Sequence, residues 1–189
     1  MSAAAQRILT AAAEQLAVHG PARLSMQDVA EAAEVSKGLI HYHFHDKETL
    51  LARVAEWVTQ DSVAREREAL AAVDGATALD AVWMWLAAEI ASGQRRLLFE
   101  LAADAGPVLR DALARSLATR RAQASDTVRA VFRAFGLATR VSPTALGELF
   151  ASVVDGLVVA AAVDPSRDRR AAFDAFWLGV LALGDERGA

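Results

Sequence analysis

The chain of 189 residues contains no cysteine, only four prolines, one tyrosine and two lysines. Without cysteine it can form neither disulfide bonds nor thiolate metal sites, which is compatible with the reducing cytoplasm. The first residues do not combine a charged segment, an apolar core and a cleavage site, so we expect no secretion signal. The most apolar stretch, residues 149–163, carries Asp155 and is short for a bilayer, which favours a buried helix. The formal charge of −4 does not indicate a nucleic-acid-binding protein.

The residues that are abundant favour an all-α fold. Hydrophobic residues make up 54% of the chain, with alanine and leucine prominent and few β-branched runs. Apolar residues recur with helical spacing along almost the whole chain, and we predict about nine helices and no strand. Capping residues mark several helix starts, namely Ser2, Ser25, Ser36 and Asp46.

The segment SKGLIHYHFHDK, residues 36–47, holds both lysines, the single tyrosine and three of the four histidines. It is the second of two brief helices separated by a tight turn, which is the size of a helix-turn-helix. Ile40 and Phe44 share the inner face of this short helix, so helical geometry turns the remaining positions outward. The outward residues are Lys37, Gly38, His41 and Tyr42, which suit a major groove because lysine and histidine can donate to guanine N7 and O6.

Residues 7–54 resemble the DNA-binding domain of TetR-family transcriptional regulators. The resemblance is carried by Ile8-Leu9 with Ala12, Gly20, Val29-Ala30, Val35-Ser36-Lys37-Gly38, Tyr42-His43-Phe44, Lys47-Glu48 and Leu50-Leu51. The rest of the chain matches only in its helical architecture and length. The resemblance implies a three-helix DNA-binding domain over residues 1–47, followed by a helical ligand-binding and dimerisation domain over residues 48–189.

Carried over by residue, the resemblance places Gln27, Lys37, Gly38 and His41 at base edges. It places Tyr42 and Lys47 at phosphates, and it makes Ser25 and Ser36 helix caps that also touch the backbone of DNA. Lys47 lies at a helix N-terminus, where the dipole favours an anion as well.

Two positions depart from the family pattern. Glu34 stands in the turn where the family usually has glycine, and a left-handed residue there would cost about 1 kcal/mol, so we expect a less tight turn. Ala17 stands where an aromatic residue is common, so another side chain is expected to fill the space.

The histidine cluster and the local charge are the main objections to DNA binding. His41, His43 and His45 could serve a helical metal protein or enzyme, because His41 and His45 are four residues apart. The sequence offers no further ligand at a suitable spacing, so we predict no metal and no cofactor. Residues 1–47 contain four basic and five acidic residues, a formal charge of −1, which predicts modest non-specific affinity.

A small helix-turn-helix module usually works as a dimer, and the last two helices carry a second face of small residues. The predicted dimer residues are Ser152, Gly156, Val159, Ala172, Ala175 and Gly179, with burial inside one subunit as the alternative. The family resemblance also implies a small-molecule effector in the second domain. Its predicted lining residues are Trp57, Trp83, Met84, Trp85, Phe99, Phe132 and Asp155, although core packing is the alternative for most of them.

These observations predict a ligand-responsive regulator rather than an enzyme. We expect a repressor that binds a palindromic operator as a homodimer and leaves it when a small molecule binds, with no membrane partner. The alternatives are the metal protein or enzyme described above, and a helix-turn-helix protein that acts through protein partners. Against an enzyme, the chain contains no recognisable nucleophile–base pair, Glu-x-x-His pair or phosphate-binding glycine loop.

Overall fold

The computed structural model describes residues 2–71 and 73–186, and these form nine helices and one pair of short strands. The predicted all-α class and helix number are therefore confirmed. The helices are α1 Ala3–His19, α2 Met26–Ala32, α3 Lys37–Phe44, α4 Lys47–Ala69, α5 Ala78–Ser92, α6 Gln94–Ala103, α7 Pro107–Ala134, α8 Pro143–Val163 and α9 Arg170–Leu181.

The strands were not predicted. Strand β1 (Leu137–Thr139) pairs in antiparallel fashion with β2 (Gly184–Glu186), and Ala138 lies opposite Asp185. Three residues are too few for an alternating pattern to stand out, which explains why the sequence gives no strand signal here. The same region is held by Arg140, whose guanidinium Nη2 donates to the carbonyl oxygen of Ala182 at 3.1 Å.

The chain divides into two compact units. The first comprises Met1–Asp61 and Gly93–Leu117, and the second comprises Ser62–Ser92 and Ala118–Ala189. Helices α4 and α7 each contribute residues to both units. These units differ from the predicted division at residue 47 into a DNA-binding domain and a helical ligand-binding and dimerisation domain, and that functional division stays a prediction.

In the first unit, α1, α2 and α3 pack on one another and on α6 around a continuous apolar core. Ile8, Leu16, Val29 and Ile40 are all fully buried, and Phe44 is almost so. Each side chain sits at the apolar position of its own helical repeat, so burial of these faces fixes how the short helices pack. The serine caps predicted at Ser2, Ser25 and Ser36 are all formed.

In the second unit, α8 and α9 meet through aromatic side chains. Phe150 of α8 lies with its ring centroid 5.1 Å from that of Trp177 and 5.8 Å from that of Phe176. On its neighbouring face α8 crosses α7 closely, because a Cβ atom on Gly147 would lie 2.3 Å from Ser125 Oγ. The crossing therefore requires glycine for space.

Helix α8 is long and apolar enough to cross a membrane by length and composition, and it is the single such helix among the described residues. Core helices of globular proteins meet the same criterion. Phe150, Val154 and Val158 of this helix are buried, as the prediction of a buried helix requires. In the most apolar 18-residue window of the helix, however, only 39% is buried. Much of its apolar surface is thus left uncovered within the chain.

Candidate nucleic-acid interface

The turn between α2 and α3 is built by backbone hydrogen bonds at the end of α2. Val35 N donates to Ala30 O at 3.0 Å, and Glu34 N donates to Glu31 O at 3.1 Å. This pair of bonds is the Schellman arrangement, which requires a left-handed residue just after the helix cap. Glu34 supplies it with φ of 53°. The expectation of a less tight turn is therefore wrong, because the glutamate accepts the strained backbone instead of opening the turn.

The exposed face of α3 carries the side chains predicted to read DNA. Lys37, Gly38, His41 and Tyr42 are all exposed, and 75% of the Tyr42 surface is accessible. Ile40 and Phe44 are buried on the opposite face. Since the helix is anchored by that inner face, its polar face presents a row of donors and one aromatic ring to solvent.

Other residues predicted to contact DNA near this face are Ser25, Ser36 and Gln27. Ser25 and Ser36 accept hydrogen bonds from the backbone N–H groups of Asp28 and Leu39, so each hydroxyl caps its helix. Gln27 is exposed, and its amide Nε2 donates to Glu31 Oε1 at 2.8 Å. This bond orients the amide and leaves the Gln27 carbonyl oxygen free to accept from a base.

His41 has one ring nitrogen already engaged. Its Nδ1 lies 2.9 Å from the carbonyl oxygen of His45. Because a carbonyl oxygen only accepts, Nδ1 must carry the proton, and Nε2 of the neutral ring is then an acceptor. The predicted donation to guanine therefore requires the cationic form, whereas neutral His41 suits the amino group of adenine or cytosine.

The accepting carbonyl belongs to a residue with an unusual backbone. His45 has φ of 55° and ψ of −60°, and Asp46 N donates to Phe44 O across it at 2.5 Å. This is a γ-turn of the strained type, which ends α3 and starts α4 within two residues.

The His43 ring lies beside Tyr42 and Phe44, with centroids 5.2 and 6.0 Å away. Within residues 2–71 and 73–186, no three histidine, aspartate or glutamate side chains are grouped as metal ligands.

Helix α4 begins at the edge of this face. Asp46 Oδ1 accepts from Thr49 N at 2.7 Å, which forms the predicted cap. That backbone hydrogen bond is the main reason why the pKa of the Asp46 carboxyl lies below its usual value of 3.8. Lys47 follows and is half-buried. Across the part of the chain that the structure describes, neither Lys37 nor Lys47 is within 4 Å of a carboxylate, so both charges are available to an anion.

The predicted effector-lining residues are divided between the two units. Trp57 and Phe99 belong to the first unit, and both are half-buried. The other five belong to the second unit, where Met84 is exposed and Phe132 is buried. Their contacts differ, since Trp83 packs on Phe173, Trp85 donates to the carbonyl oxygen of Ser62, and Asp155 pairs with Arg120.

A buried polar network in the second unit was missed. Glu89 of α5 is 1% exposed, and its carboxylate accepts from Ser62 Oγ at 2.6 Å and from Arg65 Nη2 at 2.6 Å. In the same unit, Thr127 Oγ1 donates to Glu66 Oε1 at 2.5 Å. A glutamate inside the apolar sequence of α5 was the available signal, because a buried carboxylate needs polar partners.

The six predicted dimer residues all lie on the surface of α8 and α9. Ser152, Gly156 and Val159 are exposed on α8, and Ala172, Ala175 and Gly179 are exposed on α9. A Cβ atom on either glycine would meet nothing within 4 Å. The same two helices also expose large apolar side chains that were not predicted, namely Leu149 (49% exposed), Val163 (82%) and Leu178 (75%).

Two surface clefts avoid all these predicted sites. One of about 500 Å³ lies between α1 and the end of α2, lined among others by Arg7, Glu14 and Glu34. The other, of about 470 Å³, lies between α7 and α8 and contains Arg121 and Glu148, which pair at 3.4 Å. Neither cleft includes a predicted effector-lining residue.

Comparison with known proteins places these features in context. Residues 8–54 match the family described as bacterial regulatory proteins, tetR family. The probable acrEF/envCD operon repressor of Escherichia coli K12 is 34% identical over 58 residues, which is 31% of this chain and 26% of the repressor. The chain thus matches only about a quarter of the length of this curated relative.

Solved structures extend the similarity to nearly the whole chain. A putative TetR-family transcriptional regulator from a Rhodococcus species is 26% identical, with a TM-score of 0.76, over 98% of this chain and 100% of the other. The fold also matches that of the SmeT–triclosan complex, with 18% identity and a TM-score of 0.70 over 94% and 91% of the two chains. Reduced Escherichia coli NemR gives a TM-score of 0.75 at 14% identity, with full coverage of both chains.

Proposed function

We propose that this chain, whose residues 8–54 match the tetR family of bacterial regulatory proteins, is a cytoplasmic TetR-family repressor that binds a palindromic operator as a homodimer. It releases the operator when a small molecule binds its second domain. The observation that carries the proposal is the face of α3. A helix of eight residues turns Lys37, His41 and Tyr42 to solvent while Ile40 and Phe44 anchor it. Such a face fits the major groove, and each side chain can reach a base edge or a phosphate.

Electrostatics support operator binding of moderate strength. Arg7, Arg23, Lys37 and Lys47 are the basic residues of the first 47 positions, and among the described residues none of them is held in an ion pair. Because two or three phosphates per subunit can be neutralised in this way, the slope of log K against log salt for a dimer is about −4 to −5. A much steeper slope would contradict this picture.

The direct test measures binding to DNA from upstream of the protein's own gene in an electrophoretic mobility assay. Lys37→Ala and His41→Ala are expected to weaken binding and relax base preference, whereas Tyr42→Phe, which loses a phosphate contact, weakens binding at all sequences. Unchanged base preference in Lys37→Ala and His41→Ala, together with unchanged affinity in Tyr42→Phe, rejects these site residues. Loss of bound zinc in place of loss of DNA supports the metal alternative.

The homodimer is supported by the exposed apolar face of α8 and α9. Small residues at Gly156 and Gly179 permit close helix approach, and Leu178 adds apolar area that has no cover within the chain. Ala175→Arg is expected to give a monomer in sedimentation at micromolar concentration. Ala88→Arg is the matched control, because Ala88 is also an exposed helical alanine of the second unit but lies on α5. A wild-type chain that sediments as a monomer refutes the proposal.

The proposed effector is an apolar compound or one of mixed polarity, because the predicted lining residues include tryptophan and phenylalanine. The similarity in fold to SmeT, whose solved complex contains triclosan, supports this class of compound. A panel that includes triclosan is tested for release of bound DNA. Compounds that raise the melting temperature but leave operator affinity unchanged would speak against effector-driven release.

A further inference from the structure

Glu48, the second residue of α4, caps a different helix. Its Oε1 atom accepts hydrogen bonds from the backbone N–H groups of Val108 at 3.0 Å and Leu109 at 3.2 Å. These N–H groups belong to the first turn of α7 and have no partner within their own helix. The carboxylate also lies at the positive end of that helix dipole, so both effects stabilise the contact. All of these residues lie in the first compact unit.

The space for this contact is provided by Gly106. A Cβ atom at position 106 would lie 2.4 Å from Glu48 Oε1 and 2.8 Å from Glu48 Cδ. Gly106 is not among the glycines with left-handed backbone, so its conformation is open to other residues. The glycine is therefore needed here for the carboxylate of another helix and not for its own φ.

The position of Glu48 in the chain connects this cap to the nucleic-acid interface. Asp46 caps α4 and Glu48 reaches α7, and between them lies Lys47, the residue predicted to contact a phosphate. We propose that Glu48 is a positioning residue for DNA binding, which fixes the first turn of α4 against α7 and so holds Lys47 at its phosphate. This inference rests on the proposed function for its effect on DNA. The contact itself can be tested separately.

The contact is tested by a thermal double-mutant cycle that involves no DNA. Gly106→Ala is expected to lower the melting temperature of the wild-type chain, because the new methyl group displaces the carboxylate. In a Glu48→Ala background the same substitution is expected to be neutral or to raise the melting temperature, since alanine restricts the unfolded chain. Equal effects of Gly106→Ala in both backgrounds overturn the Glu48–Gly106 contact.

The positioning role is tested by the salt dependence of operator binding between 50 and 200 mM salt. For a dimer, loss of one phosphate contact per subunit makes the negative slope of log K against log salt shallower by about 2. Glu48→Ala and Gly106→Ala are expected to show this loss, to match Lys47→Ala, and to weaken binding about three- to tenfold at 100 mM salt. Glu48→Gln keeps an oxygen that can accept from both N–H groups but loses the negative charge at the helix N-terminus, so it is expected to be intermediate.

A merely structural cap would reduce the folded fraction and leave the slope unchanged, and that result overturns the proposal. Glu56→Ala is the matched control, because Glu56 is also an acid of α4 that bonds α7, through Arg115 at 2.7 Å, but lies about two and a half turns beyond Lys47. Its slope is expected to equal that of the wild type. If the wild-type chain itself fails to bind DNA, the proposed function fails while the thermal cycle still decides the contact.

Discussion

Replacement of Glu34 by glycine is expected to stabilise the protein. Glu34 closes the Schellman arrangement at the end of α2 with φ of 53°, a conformation that an L-residue adopts at a cost. Its side chain is exposed, and within the described residues it forms no hydrogen bond or ion pair that the change would remove. The backbone thus decides the outcome, because glycine reaches the left-handed region without a Cβ clash.

The magnitude follows from two opposing contributions. Left-handed backbone costs an L-residue about 1–2 kcal/mol, and the greater freedom of glycine in the unfolded chain offsets about 0.5–1 kcal/mol of that. The free energy of unfolding of Glu34→Gly should therefore rise by about 0.5–1 kcal/mol. For a chain of this length, 1 kcal/mol corresponds to about 2–4 °C in melting temperature.

The assay is thermal unfolding followed by circular dichroism, with two comparison variants. Glu34→Ala removes the same charge from the C-terminal end of α2, where an acid is unfavourable, but it keeps a Cβ atom. Ala32→Gly introduces glycine at an exposed right-handed position of α2 and should lower the stability by about 1 kcal/mol. If Glu34→Ala stabilises as much as Glu34→Gly, the charge and not the backbone is responsible, and the reasoning from φ is refuted.

Three further predictions concern other parts of the chain. Gly147→Ala should destabilise by about 1–3 kcal/mol in urea unfolding, since its methyl group would lie 2.5 Å from the backbone nitrogen of Ser125, and an unchanged midpoint would contradict the close crossing. Glu89→Ala should lower the free energy of unfolding by about 2–3 kcal/mol. This is less than for a fully buried pair, because the arginine partner is 38% exposed. A loss below about 1 kcal/mol would refute the stabilising role of the network. The depressed pKa of Asp46 means that its charged cap stabilises the fold above about pH 3.8 and that this contribution is lost as the pH falls through the lower folded pKa. The melting-temperature advantage of wild type over Asp46→Ala should accordingly disappear in strong acid, and persistence at pH 2 would contradict the charged cap.

The local features of the predicted DNA-binding module could be read from the sequence because they depend on neighbouring residues. Ser25 and Ser36 were recognisable as caps from their residue type and spacing, and the hydrogen bonds are present. Ile40 and Phe44 were recognisable as inner residues from helical period, and both are buried. The Glu34 turn was misjudged, since sequence alone does not say whether a turn opens or a residue accepts strain.

Helix α5 shows where periodicity is insufficient. Its apolar residues run almost all around the helix, so helical spacing alone does not say which of its two tryptophans is buried. Trp85 is buried, while Trp83 is half-buried with the guanidinium of Arg170 5.7 Å from its ring. The polar partners of Glu89 lie 24 and 27 residues away in sequence, and the Glu48–Val108 bond spans 60 residues. Contacts of this kind depend on tertiary packing, which a local pattern does not contain.

The scarcity of lysine gives the predicted DNA-binding face a chemical property of its own. Lys37 and Lys47 are the only side-chain amines in the 189 residues, and both lie on the helices predicted to meet DNA. An amine-reactive label would therefore modify side chains at this face and nowhere else. Mass spectrometry of the labelled chain, with and without DNA, would then follow occupancy of the interface through these two side chains.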